Sequence, residues 1–216
     1  MILVVNGSPQ PQGNLHRLLE KIAGGTGKPY ELVQLADLTI GPCKGCVECA
    51  PTNVCVQPDD MAPLYDRIVA ADALIVGGTV YFGRLNALTH TFLERLYPLR
   101  HRLPRTMGKL AAAVCVGAVE AETVVQEISE FLEKYFYYRL VGSVYFNSVT
   151  PPCYVCGFGD TCQYGLPAMM LSPQDFARFK VTPELFRRFE DFPEVVTACA
   201  SLSRDLVVAI DSLSQE

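Results

Sequence analysis

The sequence predicts an α/β fold, a doubly wound sheet of five parallel strands in the order 2-1-3-4-5 with helices on both faces. Three observations predict it. Five short apolar runs are spaced along the chain, helical apolar patterns fall between them, and the first and third runs stop at glycine-bearing loops. Strands that alternate with helices build parallel sheets. Their crossovers are right-handed. Ligands of such sheets bind outside the carboxyl ends of the strands, where strand order reverses.

Met1-Ile2-Leu3-Val4-Val5 is almost wholly apolar and stops at Gly7, as a strand buried on both faces does. Asn14 stands where a helix would be capped, and Leu15, Leu18, Leu19 and Ile22 share one face of that helix. Gly24-Gly25 ends it. Residues 30–35 read as the second strand. Asp59-Asp60 caps a helix carrying Leu64, Ile68 and Ala71, with Pro63 in the first turn, where a missing N–H costs little. Residues 73–76 are the third strand, ending at Gly77-Gly78. Leu85, Leu88, Phe92 and Leu96 define the next helix, and Pro98 follows. Residues 110–116 are the fourth strand. Val124, Ile128, Phe131 and Tyr135 mark another helix, residues 140–146 the fifth strand, and residues 195–213 a final amphipathic helix.

Two segments break this alternation: a Cys-rich loop after the second strand, 36–58, and a long insertion, 147–181, before the C-terminal helix. Each is too short for a core of its own, so residues 1–216 are expected to form one domain with 147–216 as a C-terminal extension. Loops longer than about 12–15 residues are usually functional or disordered.

Composition excludes several classes. Hydrophobic residues make up 50% and charged residues 19%, which rules out wholesale disorder. The net charge is −5 and no Lys/Arg run forms a phosphate-binding stripe, so no nucleic-acid partner is expected. No run of 18 apolar residues exists, so no membrane span is expected, and Met1 to Asn6 lacks the basic start of a signal peptide. The three histidines, His16, His90 and His101, form no H-x-x-x-H pair, and Ser8 is not in G-x-S-x-G. The glutamates from Glu120 to Glu133 read as a solvated helix face. An odd count of 9 cysteines, seven of them in two short stretches, points to metal or redox chemistry in a reducing compartment, here the cytoplasm.

The loop Asn6-Gly7-Ser8-Pro9-Gln10-Pro11-Gln12-Gly13-Asn14 joins the first strand to the first helix. Its glycines let backbone approach a ligand, and a helix N-terminus holds an anion without any Lys. The spacing is neither a dinucleotide fingerprint nor a P-loop. In the predicted strand order, Gly77-Gly78-Thr79-Val80-Tyr81-Phe82-Gly83 lies beside it across the switch point. Gly7-Ser8-Pro9 with Gly13-Asn14, and later Tyr81-Phe82-Gly83, resembles the NAD(P)H-dependent FMN reductase group of flavodoxin-like proteins, over residues 1–146. That resemblance implies FMN, with Ser8, Gln10, Gly13, Asn14 and Leu15 at the phosphate. It implies the flavin ring near Thr79, Val80, Tyr81, Phe82 and Gly83, with Gly117 in the loop after the fourth strand. It also implies NAD(P)H as a candidate donor and a homodimer or homotetramer that completes the site. Leu15 stands where the family usually has Thr or Ser, and Thr79 where it usually has Pro.

Cys43, Cys46, Cys49 and Cys55 are spaced C-x2-C-x2-C-x5-C. Three thiolates at two-residue gaps can converge on one turn, and a fourth can close the cage. Iron–sulfur clusters take four Cys thiolates, and zinc or plain redox or inert thiols remain alternatives. The motif is similar to that of the iron-sulfur flavoproteins, a branch of the same flavin family, and the resemblance implies a 4Fe-4S cluster on these four residues. Cys153, Cys156 and Cys162 form a second group, open to metal, disulfide or no special role. Cys115 and Cys199 read as small core hydrophobes.

Together these readings predict an FMN-dependent redox protein moving electrons between flavin and cluster. Its partners would be small-molecule or protein electron donors and acceptors. The alternatives are a plain NAD(P)H:FMN or quinone reductase, or a non-enzymatic electron carrier. The cofactor would supply the chemistry, so no acid–base catalyst is expected.

Overall fold

The computed structural model describes residues 1–213, so the last three residues of the expected extension lie outside it. The strands are β1 (Ile2–Asn6), β2 (Tyr30–Gln34), β3 (Ala73–Tyr81), β4 (Arg84–Leu85), β5 (Leu110–Gly117) and β6 (Arg139–Asn147). Five run parallel in the order β2-β1-β3-β5-β6, which is the expected 2-1-3-4-5, and β4 folds back antiparallel on β3. The helices are α1 (Asn14–Gly25), α2 (Ala62–Ala70), α3 (Ala87–Glu94), α4 (Ala121–Glu130), α5 (Leu166–Met170), α6 (Pro173–Phe176) and α7 (Pro193–Leu213).

Alternate residues of the apolar strands feed two cores. Ile2, Val4, Ile75 and Val114 pack with α1 and α7, while Leu3, Val5, Val76 and Ala113 pack with α2, α3 and α4. Each fully buried Leu, Ile or Val contributes roughly 1.5–3 kcal/mol, so both faces of the sheet must stay covered. Helix α7 is tied to α1 through Ser203, whose Oγ donates to the Ile22 carbonyl at 2.8 Å. A Cβ on Gly25 would lie 2.6 Å from that oxygen.

Three boundaries differ from the expected ones. The third strand does not end at Gly77-Gly78 but continues to Tyr81. The glycines are there for packing: a Cβ on Gly77 would meet Leu19 at 2.8 Å, and one on Gly78 would meet Leu85 at 2.5 Å. Leu85 belongs to β4 rather than to α3, so the apolar stripe that suggested a longer helix spans a hairpin and a helix. The helix expected through Tyr135 is α until Glu130 and then a π-helical turn, Phe131–Tyr135.

Gly7 shows how tightly β1 and β3 approach. Its N–H donates to the Gly77 carbonyl at 2.9 Å. A Cβ there would lie 1.8 Å from Thr89 Oγ1 and 2.8 Å from the Gly77 carbonyl oxygen. Gly7→Ala is therefore expected to cost about 1–3 kcal/mol in urea unfolding at unchanged m. Gly13→Ala, whose Cβ would find its nearest neighbour at 3.6 Å, should change stability far less.

Candidate functional site

The loops after β1, β3, β5 and β6 meet at the carboxyl edge of the sheet. Register fixes their approach: Asn6 pairs with Gly77, Thr79 with Val116, and Gly117 with Asn147. Each of these loops, the one after β3 being the hairpin to β4, holds a non-glycine residue at positive φ. These are Gln12 (59°), Phe82 (52°), Glu120 (62°) and Val149 (49°). For β-branched Val149 this is a strained conformation. Such strain persists where surroundings over-determine it, and it clusters at ligand sites.

Asn86 ties two of the loops together. It is buried, its Nδ2 donates to the Gly7 carbonyl at 2.7 Å, and its Oδ1 accepts from the Thr79 N–H at 3.1 Å and the Thr89 hydroxyl at 2.7 Å. The sequence reading passed over Asn86. Its signal was an Asn just ahead of a helical pattern, the residue type that bonds backbone at helix starts.

The N-terminus of α1 faces the same edge. Gly13, not Asn14, is its N-cap; no side chain caps it and no acidic residue lies in the first turn. Its first N–H groups therefore lack intrahelical partners and suit an anion. Asn14 instead holds the C-terminal extension: its Nδ2 donates to the Arg187 carbonyl at 2.9 Å and its Oδ1 accepts from the Phe189 N–H at 3.2 Å. Its side chain is thus committed elsewhere, and only its main chain faces the loop. Leu15 likewise has its side chain in the core. Ser8 is buried, with its Oγ accepting from the Gln10 N–H at 3.0 Å, its N–H donating to Asn6 Oδ1 at 3.0 Å, and its carbonyl accepting from Gln34. Gln10 is exposed and Gly13 half-buried.

Across the switch point, Thr79 Oγ1 is buried and has no hydrogen-bond partner. A buried hydroxyl without a partner is costly unless a ligand supplies one. Val80 packs against Gly117, where a Cβ would lie 2.6 Å from Val80 Cγ2. Tyr81 pairs with Arg84 across a two-residue turn, Phe82-Gly83, with both φ values positive. This turn type suits a tight hairpin. It leaves Phe82 fully exposed and Tyr81 half-exposed, so these rings are not core aromatics. Glu120 lies close by: a Cβ on Gly83 would be 2.7 Å from its Oε2.

The chain matches the model of the NADPH-dependent FMN reductase family over residues 1–149. It belongs to that family. Membership makes it a flavin-dependent oxidoreductase. It is 32% identical over 136 residues to an iron-sulfur flavoprotein of Methanocaldococcus jannaschii, covering 60% of this chain and 70% of that one. To an iron-sulfur flavoprotein of Archaeoglobus fulgidus it is 30% identical over 158 residues, covering 71% of this chain and 66% of that one. Among solved structures, RosB superposes with a TM-score of 0.64 at 16% identity, covering 99% of this chain and 80% of that one. An archaeal flavodoxin superposes at 0.51 with 13% identity and 97% of each chain covered. These two superpositions show the fold. No helix among the described residues is long and apolar enough to cross a membrane.

Away from the carboxyl edge, the cysteine loop leans on Arg95 at the end of α3. Cys43, Cys46, Cys49 and Cys55 line one cavity of about 20 Å³, room for about one water. Among the described residues, no three His, Cys, Asp or Glu side chains are grouped so as to hold a metal ion. Burial pushes the Cys49 thiol up against the pull of its own backbone, and Cys55, Cys46 and Cys43 push the same way. Burial would also raise Cys55, but the Gln57 N–H and the Arg95 guanidinium hold it below its ordinary value. Arg95 is fully buried. It donates to the Gly41 carbonyl at 2.7 Å, to both Asp59 oxygens at 2.5 and 2.9 Å, and to Cys55 Sγ at 3.6 Å. Asp59 thus anchors the loop as well as accepting from the Met61 N–H at the start of α2. The outer leg is held by Asn53, whose Nδ2 donates to the Pro98 and His101 carbonyls at 2.6 Å each. The role of Arg95 was also missed, although its place on the Leu88–Phe92 stripe, three residues past Phe92, marked an arginine facing the core.

The other cysteines separate cleanly. Cys115 and Cys199 are fully buried, and burial pushes their thiols up to about 12 and about 11. Cys153 Sγ accepts from the Leu166 N–H at 3.3 Å and Cys156 Sγ from the Phe158 N–H at 3.4 Å. All nine cysteines are free.

Two outcomes test these ties. Asn86→Ala leaves the Gly7 carbonyl and Thr79 N–H without their partner; it should cost about 1–3 kcal/mol in urea unfolding and weaken FMN binding in fluorescence titration. The Arg95 hydrogen bonds, opposed by burial and aided by the Gly41 N–H, hold the Asp59 carboxyl below its usual range. Its contribution is therefore present above its unfolded value and lost as pH falls through the folded one. Asp59→Asn should be less stable at pH 7, and its urea midpoint should fall less steeply than the wild type's below about pH 4.

Proposed function

We propose that the chain is an FMN-dependent reductase that accepts a hydride equivalent from NAD(P)H and passes electrons to an acceptor. The observation that carries this reading is the orphaned Thr79 hydroxyl near the end of β3, a segment that one buried amide ties to the loop leading into the uncapped start of α1. The residues present fit FMN. The first N–H groups of α1, with Ser8, Gln10 and Gly13, would hold the phosphate. Thr79, with Val80, Tyr81, Phe82 and Gly83, would line the ring, and Gly117 would let Val80 sit back against β5. FMN, when bound, supplies the two-electron and one-electron chemistry. The protein's own task is to position the ring, and no residue of the cradle is assigned as a proton donor. Phe82, fully exposed at its turn, supports an assembly of two or four copies in which a second chain covers the cradle. The nine free cysteines suit a reducing, cytoplasmic setting.

The geometry favours this reading without a cluster, because the cysteine cavity is small. A second reading adds a 4Fe-4S cluster on Cys43, Cys46, Cys49 and Cys55. It is supported by four thiols bounding one space and by relatives described as iron-sulfur flavoproteins. The donor set fits; the volume requires the exposed wall at Cys46 and Val47 to move outward. A plain electron carrier is a third reading, separated by turnover with nicotinamide.

Protein purified without oxygen should show flavin bands, oxidise NADPH, and scatter light as two or four copies. Turnover that survives replacing the four loop cysteines by Ser fixes the first reading. Iron and inorganic sulfide in equal amounts, lost in that variant, establish the second. Retained FMN with neither nicotinamide oxidised leaves only the carrier.

A further inference from the structure

A groove of about 520 Å³ lies beside the cysteine loop, apart from the flavin cradle. Its lining is largely aromatic, with Tyr97, Phe131 and Tyr135 among its residues. The π-helical turn Phe131–Tyr135 brings those last two rings into an edge contact, with centroids 5.4 Å apart. Single π-turns are frequent at functional sites. Cys43, Val47 and Tyr97 line both this groove and the cysteine cavity, so they form a shared wall.

The polar groups of the groove are unequal. Glu94 already faces His90, with Oε1 3.6 Å from Nε2. Arg100 has no carboxylate partner among the described residues. Its guanidinium is instead held between two rings, 6.0 Å from the Tyr97 centroid and 5.9 Å from that of Tyr137. A cation fixed over ring faces and lacking a counterion, at the rim of an aromatic slot, lacks only an anion to pair with. The volume falls within the usual range for small-molecule sites of about 300–1,000 Å³.

We propose that this groove binds a small planar aromatic anion of one or two fused rings. The rings would lie between Tyr97 and Tyr135 and the carboxylate or phenolate would meet Arg100. Binding there places the ligand beside Cys43, one of the residues that line both spaces. None of the residues assigned to the flavin lines the groove, so the site does not depend on FMN.

The probe is 2-naphthoate, with 2-naphthamide as its neutral twin, titrated calorimetrically into FMN-free and FMN-loaded protein. The chain has no Trp, so naphthoate fluorescence gives an independent reading in the FMN-free sample. Naphthoate should bind with Kd below about 1 mM. Arg100→Gln should weaken it about tenfold while leaving the amide unchanged, and Arg100→Lys should restore part of the loss. Tyr135→Ala should weaken both probes, with urea midpoints confirming that the variants fold. Equal loss of acid and amide in Arg100→Gln would falsify the charge assignment. Unchanged binding in Tyr135→Ala, or FMN release seen as rising flavin fluorescence, places the probe elsewhere and overturns the site. No binding at millimolar probe, as when a second copy of the chain covers the groove, overturns it as well.

Discussion

Asn86 carries the carboxyl edge. Two strands that neighbour each other in a parallel sheet send their next elements to opposite faces at the switch point, so the loops after β1 and β3 diverge and leave a crevice. The Asn86 amide spans that crevice with one donor and one acceptor, joining the Gly7 carbonyl to the Thr79 N–H. Thr89 saturates the remaining lone pair. A buried amide with its bonds made is rigid, and each missing bond is expensive in the low-dielectric interior. The lack of side chains at Gly7, Gly77 and Gly78 follows from the same close approach. The segments that carry the uncapped start of α1 and the orphaned Thr79 hydroxyl are then tied together.

The cysteine loop is organised by a second buried group of a different kind. Arg95 reaches both legs of the loop, through Gly41 on one and Asp59 and Cys55 on the other. Burying an ion pair offsets most of its Coulomb energy by desolvation, so the pair contributes little net stability compared with apolar packing. Its value is geometric. The two terminal nitrogens of a planar guanidinium fix the directions of these acceptors, and that arrangement holds the loop in place beside the four thiols. Asn53 fixes the outer part of the loop in the same manner, at a left-handed φ of 58° that Asn tolerates.

The order of the five parallel strands and the helices between them were legible because they rest on apolar periodicity, which is a property of local runs; β4, α5 and α6 were not. The same logic explains what was not. Gly77-Gly78 reads locally as a strand end, yet the glycines are dictated by Leu15, Leu19 and Leu85 from other elements. Asn14 reads locally as an N-cap, yet its amide is claimed by Arg187 and Phe189, more than 170 residues away. Leu88, Phe92 and Leu96 gave the face of α3, but that an arginine sits on that face is intelligible only once Asp59 is opposite it. The positions of the expected site residues Ser8, Gln10 and Thr79 to Gly83 at one edge follow from topology. The strain at Gln12, Phe82, Glu120 and Val149 does not, since it reflects how four loops crowd one another.

Helix α3 joins the two organising groups. Asn86 is its N-cap and Arg95 its C-cap. At 1.5 Å per residue, the nine steps between them span about 13 Å. Phe92 and Leu93 bury the helix in the core against α2, α4 and the sheet, so its ends cannot shift independently. The carboxyl edge at one end and the cysteine loop at the other are therefore set at a fixed spacing by eight helical residues rather than by the long loops themselves. Loop 36–58 can vary in sequence and still stand at that distance, provided it presents carbonyls and a carboxylate to Arg95. The helix therefore separates two tasks: its buried face fixes distance, while the loops at its ends remain free to differ in sequence.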